Sequence, residues 1–274
     1  MIETWVRSAD GISLAVGESE GRGRKSILLI HGYGHSKECF VRQYASELSK
    51  TYHIVSFDLR GHGRSEAPNN AEAYAAKRWS DDVRSVIEAC EMSYPTLVGW
   101  SLGARVIGQY LKDCGSSSIS GINLVGGRPT SKSQQTSIGE SMTQVVITAQ
   151  EKDPHLRMSA ARSFVEACAY QPLSRDYLEE MVQRVVAMPL VAAAGALGFA
   201  CDYGPEFESL EVPVLITQGA RDQLVLPIAA TELHAQIPES NLSLYSDAGH
   251  APFLERPERF NGELAQFVER VSLS

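Results

Sequence analysis

Short runs of apolar residues alternate with longer amphipathic stretches over most of the chain. Runs that are apolar throughout are typical of strands covered on both faces. Their alternation with helical patterns predicts an α/β fold with a doubly wound, mostly parallel sheet. Two runs near the amino terminus flank the turn signal Ala9-Asp10-Gly11 and predict an antiparallel hairpin. The predicted strands are 2–7, 12–17, 26–30, 52–57, 96–99, 119–125, 212–217 and 241–245, and the predicted helices around them are 36–50, 77–92, 102–114, 227–237 and 257–271.

The strand signal is absent between residues 128 and 208, where helical patterns replace it. This stretch separates two strands of the sheet without adding to it. We therefore predict a core of residues 1–127 and 209–274, with a helical lid of residues 128–208 inserted after the sixth strand. The predicted lid helices are 137–150, 155–169 and 174–200, broken by Pro154, Pro172 and Pro189.

Composition narrows the class of protein but not its substrate. The 274 residues are 43% hydrophobic and 21% charged, which is typical of a folded globular domain. The net charge of −8 and the lack of a basic stripe argue against nucleic acid as a partner. The amino terminus lacks a signal-peptide pattern, and the most apolar stretch, Met188–Cys201, is too short to span a bilayer, so we expect a cytoplasmic protein without membrane contact. It would be a monomer or a small homo-oligomer.

Ser101 is the main candidate for chemistry. It lies between Gly99 and Gly103, where an apolar run ends and a helical pattern begins. Flanking glycines allow a sharp strand-to-helix turn that exposes the serine hydroxyl, with the positive end of the helix beside it. The competing interpretation is a glycine-bounded turn before a buried helix. The neighbouring segments decide between the two.

Three further strand ends carry groups that a serine nucleophile needs. Asp222 follows one predicted strand and His250 follows the next, and the carboxyl ends of parallel strands meet at one edge. A histidine can take the serine proton, and a carboxylate can orient the histidine. The backbone N–H groups of Tyr33 and Leu102 are candidates for an oxyanion hole. Asp58 also ends a strand and is the alternative acid.

These segments resemble the α/β-hydrolase superfamily over nearly the whole chain outside the lid. The resemblance implies Ser101 as nucleophile, His250 as base and Asp222 as acid. It also implies Tyr33 and Leu102 as oxyanion donors. The motifs that carry it are His31-Gly-Tyr-Gly34, Asp58-Leu-Arg-Gly-His-Gly-Arg-Ser65, Gly99-Trp-Ser-Leu-Gly103, Gly219-Ala-Arg-Asp222 and Gly249-His-Ala-Pro-Phe253.

Two of these motifs, around Ser101 and His250, look most like small bacterial carboxylesterases. Pimeloyl-carrier methyl esterases and α/β-fold acyl-homoserine lactone lactonases share them. Some relatives carry a second glycine where this chain has Ala104, a difference that concerns packing of the helix on the strand.

The sequence therefore predicts a serine hydrolase that cleaves an ester of a small to medium, largely apolar acyl group through an acyl-enzyme. The substrate would be a small-molecule ester or lactone. Alternatives are an acyl-homoserine lactone lactonase, a cofactor-free haloperoxidase-like perhydrolase and a non-enzymatic small-ligand receptor. No cofactor is predicted, and the scattered cysteines and histidines suggest no metal site. His35 is expected at the solvent-exposed surface, with the rim of the pocket as the alternative. The candidate pocket residues are Trp100, Phe253, Met142 and Val146.

Overall fold

The computed structural model describes residues 1–130, 137–198, 202–237 and 239–271. Eight strands form one sheet in the order β1-β2-β4-β3-β5-β6-β7-β8. β1 pairs antiparallel with β2, and β2 pairs antiparallel with β4, while every other pair is parallel. The predicted doubly wound, mostly parallel sheet is therefore confirmed. The strands are β1 Ile2–Arg7, β2 Ser13–Glu18, β3 Ser26–Ile30, β4 His53–Phe57, β5 Thr96–Trp100, β6 Gly121–Val125, β7 Val214–Gly219 and β8 Asn241–Tyr245.

The central strands are covered on both faces. All five residues of β3 are buried, and successive side chains along a strand point to opposite sides of the sheet. Both sides must therefore be covered by other parts of the protein. The helices are α1 Val41–Tyr44, α2 Leu48–Thr51, α3 Ala76–Ala89, α4 Leu102–Cys114, α5 Met142–Gln150, α6 Pro154–Ala167, α7 Arg175–Ala187, α8 Leu190–Gly198, α9 Gly204–Glu208, α10 Ile228–Gln236, α11 Pro252–Glu255 and α12 Pro257–Val271, with short 3-10 helices at Lys37–Phe40 and Ala71–Tyr74.

The helices that cover the sheet form two packed groups. One contains α3, α4, α9 and α10, and the other contains α1, α2, α11 and α12. In α3 the apolar side chains of Trp79, Val83 and Val86 are all buried, so this side of the helix faces inward. Because α4 packs on β3 and β5, the start of this helix is held at the carboxyl edge of the central strands.

The predicted helix over residues 36–50 is wrong. The segment forms a 3-10 helix followed by the separate short helices α1 and α2, and the side chain of Ser36 does not cap them. The reason lies in the buried Lys37, whose backbone N–H donates to Asp58 Oδ1 at 2.7 Å. Its Nζ lies 3.4 Å from Asp58 Oδ2. These bonds fix the segment to the loop after β4, whereas an amphipathic helix would leave this lysine in solvent.

In the described parts of the segment between β6 and β7 lie five helices, α5 to α9. The predicted helix 137–150 begins later than expected, because Ile138 forms an isolated antiparallel bridge with Val225. The predicted helix 174–200 is divided into α7 and α8 around Pro189. Parts of the predicted lid range, 131–136 and 199–201, lie outside the described residues, as does Cys201.

No single helix among the described residues is long and apolar enough to cross a membrane. The pair α7 and α8 reaches the required length and apolarity only together, and the two are bent by 91° relative to each other.

Candidate active site

Ser101 lies at a strained turn between β5 and α4. Its φ is +53° and its ψ is −109°, a backbone conformation that non-glycine residues rarely adopt. The turn is held on one side by the Ser101 N–H, which donates to the carbonyl of Val125 at 2.9 Å. On the other side, the Ser101 carbonyl accepts from the N–H of Ala104 at 3.0 Å. The serine is thus fixed where the strand becomes a helix.

The glycines around this turn are required by close backbone contacts. A Cβ on Gly103 would lie 2.3 Å from the carbonyl oxygen of Ile30, and a Cβ on Gly99 would lie 2.7 Å from the carbonyl oxygen of Gly103. Both distances are shorter than atoms can approach. The chain also accommodates Ala104, whose methyl group lies where a Cβ on Gly127 would clash at 2.3 Å. The absence of a side chain at Gly127 therefore leaves room for the methyl group of Ala104.

Asp222 and His250 are hydrogen-bonded to each other. His250 Nδ1 lies 2.7 Å from Asp222 Oδ2, and both side chains are buried. The carboxylate is held in place by further donors. The backbone N–H groups of Leu224 and Val225 bond its Oδ1 at 2.8 and 3.0 Å, and Gln218 Nε2 bonds its Oδ2 at 3.0 Å. We assign the His250 proton to Nδ1, which leaves Nε2 able to accept a proton.

Gln218 is a residue that sequence reasoning missed. It is a buried polar side chain near the end of an apolar strand, where a partner is required, and four residues later the chain supplies Asp222. Glu255 was missed as well. Its Oε1 accepts from the N–H of Gly249 at 2.6 Å, and its Oε2 accepts from the N–H of Tyr170 at 2.8 Å. Glu255 thus fixes the turn before His250 and joins it to the segment after α6.

The alternative acid, Asp58, has other partners. Its Oδ1 accepts from the Lys37 N–H, and its Oδ2 accepts from the Arg64 N–H at 2.8 Å. The carboxylate is buried, and desolvation raises its pKa above the usual value. Asp58 therefore organises its own loop, and the imidazole of His250 is paired with Asp222.

The candidate oxyanion donors lie on two sides of Ser101. Leu102 is the first residue of α4, and Tyr33 belongs to the loop after β3. Within the described parts of the chain, neither backbone N–H donates to another protein group. Both residues line the same cavity as Ser101. Two amide donors thus belong to residues that line the cavity together with Ser101.

Buried neutral histidines brace the Tyr33 loop. His31 Nδ1 bonds the carbonyl of Gly32 at 2.7 Å, and His31 Nε2 accepts from the N–H of Leu59 at 2.9 Å. His35 is buried too, with Nδ1 bonded to the Tyr33 carbonyl at 2.9 Å, so the expectation that it is exposed is wrong. Desolvation lowers the pKa of His31 well below its usual value, and it lowers the pKa of His35 to about 4. The loop geometry therefore depends on uncharged imidazoles.

Trp100 and Phe253 are placed differently from the prediction, because neither lines the cavity. Both are almost fully buried, and their ring centroids are 5.0 Å apart. The Trp100 Nε1 donates to the backbone carbonyl of His250 at 2.8 Å, and its ring lies 4.6 Å from that of His35. Trp100 thus holds the backbone of His250 and packs against the ring of His35.

A cavity of about 270 Å³ opens beside Ser101. Ser101 and His250 both line it, and no hydrogen bond joins their side chains in the described part of the chain. Most of its lining is apolar, and Met142 and Val146, two of the predicted pocket residues, belong to it. We call residues 137–198, which supply most of this apolar surface, the helical wall. The remaining lining residues are Tyr33, Leu102, Arg105, Gly126, Arg128, Ile138, Val145, Phe164, Leu197, Leu224 and Val225.

Comparison with known proteins shows that the chain is similar to hydrolases over most of its length. The sequence profile described as the alpha/beta hydrolase family matches residues 27–263. A crystal structure of a Burkholderia cenocepacia protein, proposed to be an aryl esterase, is similar with a TM-score of 0.92 and 29% identity, and the match covers 100% of both chains. The esterase RhEst1 from Rhodococcus sp. ECU1013 is similar with a TM-score of 0.89 and 27% identity, over 99% of this chain and 100% of that one.

Among characterised sequences, a pimeloyl-acyl-carrier-protein methyl ester esterase from Edwardsiella ictaluri is 28% identical over 262 residues. That match covers 92% of this chain and 96% of the relative.

Proposed function

Because the chain belongs to the alpha/beta hydrolase family and is a hydrolase, we propose that it is a serine esterase acting on small to medium, largely apolar acyl groups. The observation that carries this proposal is the 2.7 Å bond between His250 Nδ1 and Asp222 Oδ2 at the wall of a cavity shared with Ser101. An oriented imidazole beside a serine on a strained turn is the arrangement that activates a hydroxyl.

In the proposed reaction, Ser101 Oγ attacks the carbonyl carbon of the ester while His250 Nε2 takes its proton. Asp222 stabilises the imidazolium that forms. The N–H groups of Tyr33 and Leu102 bond the negatively charged carbonyl oxygen of the tetrahedral intermediate. The C–O bond to the alcohol then breaks, and the alcohol leaves with the proton from His250. A water molecule, deprotonated by His250, cleaves the acyl-enzyme and releases the carboxylic acid.

The substrate class follows from the cavity. A volume of about 270 Å³ accommodates a short or medium acyl chain, and side chains such as Val145, Phe164 and Leu197 favour methylene groups over polar ones. The helical wall would act as the lid over the reacting carbonyl and limit access of water to it. Relatives named as esterases are consistent with this class.

The test is turnover of short p-nitrophenyl esters by the parent protein, Ser101→Ala and the exposed control Ser118→Ala. We expect no turnover above background for Ser101→Ala, parent rates for Ser118→Ala, and the same thermal stability for all three. A fluorophosphonate probe should label only Ser101, as shown by peptide mass spectrometry. Unchanged turnover of Ser101→Ala, or labelling at another residue, would refute the nucleophile.

The same protein preparations can be tested on acyl-homoserine lactones, on thioesters, and on carboxylic acids with hydrogen peroxide. Faster hydrolysis of a lactone than of every ester would favour the lactonase alternative. Peracid formation would favour the perhydrolase. Saturable binding of an ester without any turnover would favour the receptor.

A further inference from the structure

Arg128 is one of two arginines in the otherwise largely apolar lining of the cavity, the other being Arg105. It follows Gly126 and Gly127 at the end of β6, it is half-buried, and it lines the cavity together with Ser101. A guanidinium presents five N–H donors and keeps its charge at any physiological pH. In Arg128, the described part of the chain satisfies one of these donors, since Nη1 bonds Ser137 Oγ at 3.1 Å.

Two other cations in the protein interior, Lys37 and Arg60, have acidic partners. Lys37 Nζ lies 3.4 Å from Asp58, and Arg60 Nη2 lies 2.6 Å from Asp82. Arg157 lacks a carboxylate, but two backbone carbonyls accept from its guanidinium. No acidic group of the described ranges lies within 4 Å of the Arg128 guanidinium. Its charge is therefore left uncompensated next to the cavity.

The arginine is also held firmly in position. Its backbone is anchored on one side by the Gly126 N–H, which donates to the Thr217 carbonyl at 2.9 Å. On the other side, the carbonyl of Pro129 accepts from the N–H of Tyr203 at 3.1 Å. The hydroxyl that bonds the guanidinium belongs to the fully buried Ser137, whose own carbonyl accepts from the Leu226 N–H at 2.9 Å. A cation fixed at both ends is suited to recognition, because little rotamer entropy is lost on binding.

We propose that Arg128 binds a carboxylate at the far end of the acyl chain, so that the preferred substrates are esters whose acyl group carries a distal anion. This inference rests on the proposed esterase function. The apolar lining around Ile138, Met142 and Val145 would contact the methylene chain between the two ends. A guanidinium matches a carboxylate with two parallel hydrogen bonds, and charge-assisted bonds of this kind are stronger than neutral ones.

The test compares two p-nitrophenyl esters of adipic acid at neutral pH, one with a free distal carboxylate and one with that carboxyl capped as a methyl ester. The protein carries a net charge of −8, so without a local cation the anionic ester should be the poorer substrate. We expect it instead to be the better one, by about tenfold in kcat/KM. The corresponding suberic acid pair measures how preference depends on the distance between the ester and the anion.

Arg128→Gln should remove this preference through a higher KM for the anionic ester, because the distal contact is the same in ground and transition states, and the capped ester should lose far less kcat/KM than the anionic one. Arg128→Lys should restore part of it. The control Arg175→Gln changes the same charge at an exposed position outside the cavity and should keep the full preference. Arg105→Gln removes the other arginine of the cavity, whose Nη2 lies 3.4 Å from the Leu197 carbonyl.

Three results would overturn the role of Arg128. They are a parent protein that favours the capped ester, an equal loss for both esters in Arg128→Gln, and a preference that is lost only in Arg105→Gln. In each of these cases the capped ester is still hydrolysed by the parent, so the proposed esterase function survives. If the parent hydrolyses neither ester, the proposed function itself fails.

Discussion

The two sides of the cavity are built in different ways. At the sheet edge, close backbone contacts fix the turn that carries Ser101. A Cβ added to Gly103, for example, would lie only 2.3 Å from the Ile30 carbonyl oxygen. The helical wall presents apolar side chains instead, such as that of Val146, which is 40% exposed. Backbone contacts tolerate almost no substitution, whereas apolar contacts depend mainly on volume. In the proposed enzyme, the edge would therefore determine the kind of reaction and hold Arg128, and the wall would set the size of the acyl group that fits.

Several polar contacts join the two regions. Tyr33 Oη bonds Thr148 Oγ1 at 3.0 Å, and Glu38 forms an ion pair with Arg184 of α7 at 3.4 Å. Glu255 bonds the N–H of Tyr170 at the end of the α6 segment. Backbone bonds also join them, from the Gly139 N–H to the Leu224 carbonyl at 3.0 Å and from the Leu226 N–H to the Ser137 carbonyl at 2.9 Å. Apolar packing, such as that of α8 against the 3-10 helix Ala71–Tyr74, accompanies these bonds. Away from the bonded positions, the apolar residues of the wall can change in sequence without moving the groups at the edge.

The largest expected effect comes from the edge, in Asp222→Asn. An amide cannot hold His250 in the required tautomer, so kcat should fall by about 10⁴-fold, as in the serine protease example of the same exchange. The fold should persist, because the amide oxygen can still accept from the Leu224 and Val225 N–H groups. Steady-state kinetics with a p-nitrophenyl ester measures the loss.

Asp247→Asn is the matched control for this exchange, since Asp247 is exposed, precedes His250 by three residues and pairs with Arg256 at 2.6 Å. It should leave kcat unchanged. The assignment of Asp222 would be contradicted if Asp58→Asn, in a folded protein, lowered kcat more than Asp222→Asn does.

Low pH should reduce the free energy of unfolding through the buried histidines of the sheet edge. Desolvation lowers the pKa of His35 and of His62 to about 4, below the ordinary value of 6.5. Between these values the unfolded chain binds more protons, so the free energy of unfolding falls as the pH drops from 6.5 to 4. The slope is about 1.4 kcal/mol per pH unit for each histidine. Urea denaturation across this range measures the slope.

His35→Gln should lower that slope by the share of one histidine, while the same change at the exposed His155 should leave it as in the parent. Equal slopes in the His35 variant and the parent would show that other groups control stability in this pH range.

Gly103→Ala tests how firmly the backbone of the edge is fixed. The added methyl group must displace the helix start from the Ile30 carbonyl, so we expect a loss of about 1–3 kcal/mol in the free energy of unfolding, together with a lower kcat. Gly262→Ala is the matched change in the exposed part of α12, where a Cβ meets no atom within 4 Å. It should stabilise the protein by about 0.5–1 kcal/mol. Thermal unfolding compares the two variants. Equal effects would show that the backbone around Gly103 moves easily enough to accommodate the added methyl group.

The difference between the two regions also explains what the sequence could predict. The α/β-hydrolase fold and its resemblance to esterases are confirmed, because continuous apolar strands and glycine-flanked turns leave a strong local pattern. The juxtaposition of Asp222 and His250 follows from parallel strands that end at one edge. The assigned roles of these residues remain predictions that the proposed experiments test.

Features set by tertiary contacts were not predictable in the same way. The helix predicted over 36–50 is interrupted because Lys37 is buried against Asp58, a residue 21 positions away in sequence. Trp100 carries no local sign that its ring packs beneath the site against His35 and Phe253. Periodicity likewise gave no indication of the bridge between Ile138 and Val225. Each of these features depends on which distant residue occupies the neighbouring space.

The smallest expected effect concerns the contact between the two regions, Tyr33 Oη with Thr148 Oγ1. The Thr148 hydroxyl donates to the Val145 carbonyl at 2.7 Å, so it accepts from Tyr33, whose pKa burial raises to about 12. Tyr33→Phe should lower kcat a few-fold, by about 1 kcal/mol, because the loop that carries the Tyr33 N–H loses its anchor on α5. KM should not change. Tyr245→Phe, which removes a hydroxyl bonded to Glu263 away from the cavity, should leave kcat as in the parent.

A double-mutant cycle decides whether this contact is the cause. If the hydrogen bond transmits the position of the wall to the loop, Thr148→Val should lower kcat to a similar degree, and Tyr33→Phe with Thr148→Val should be no worse than either change alone. Additive losses would mean that the two side chains act independently. The wall would then influence the reaction only through the shape of the cavity. The position of the loop after β3 would not depend on the hydrogen bond between Tyr33 and Thr148.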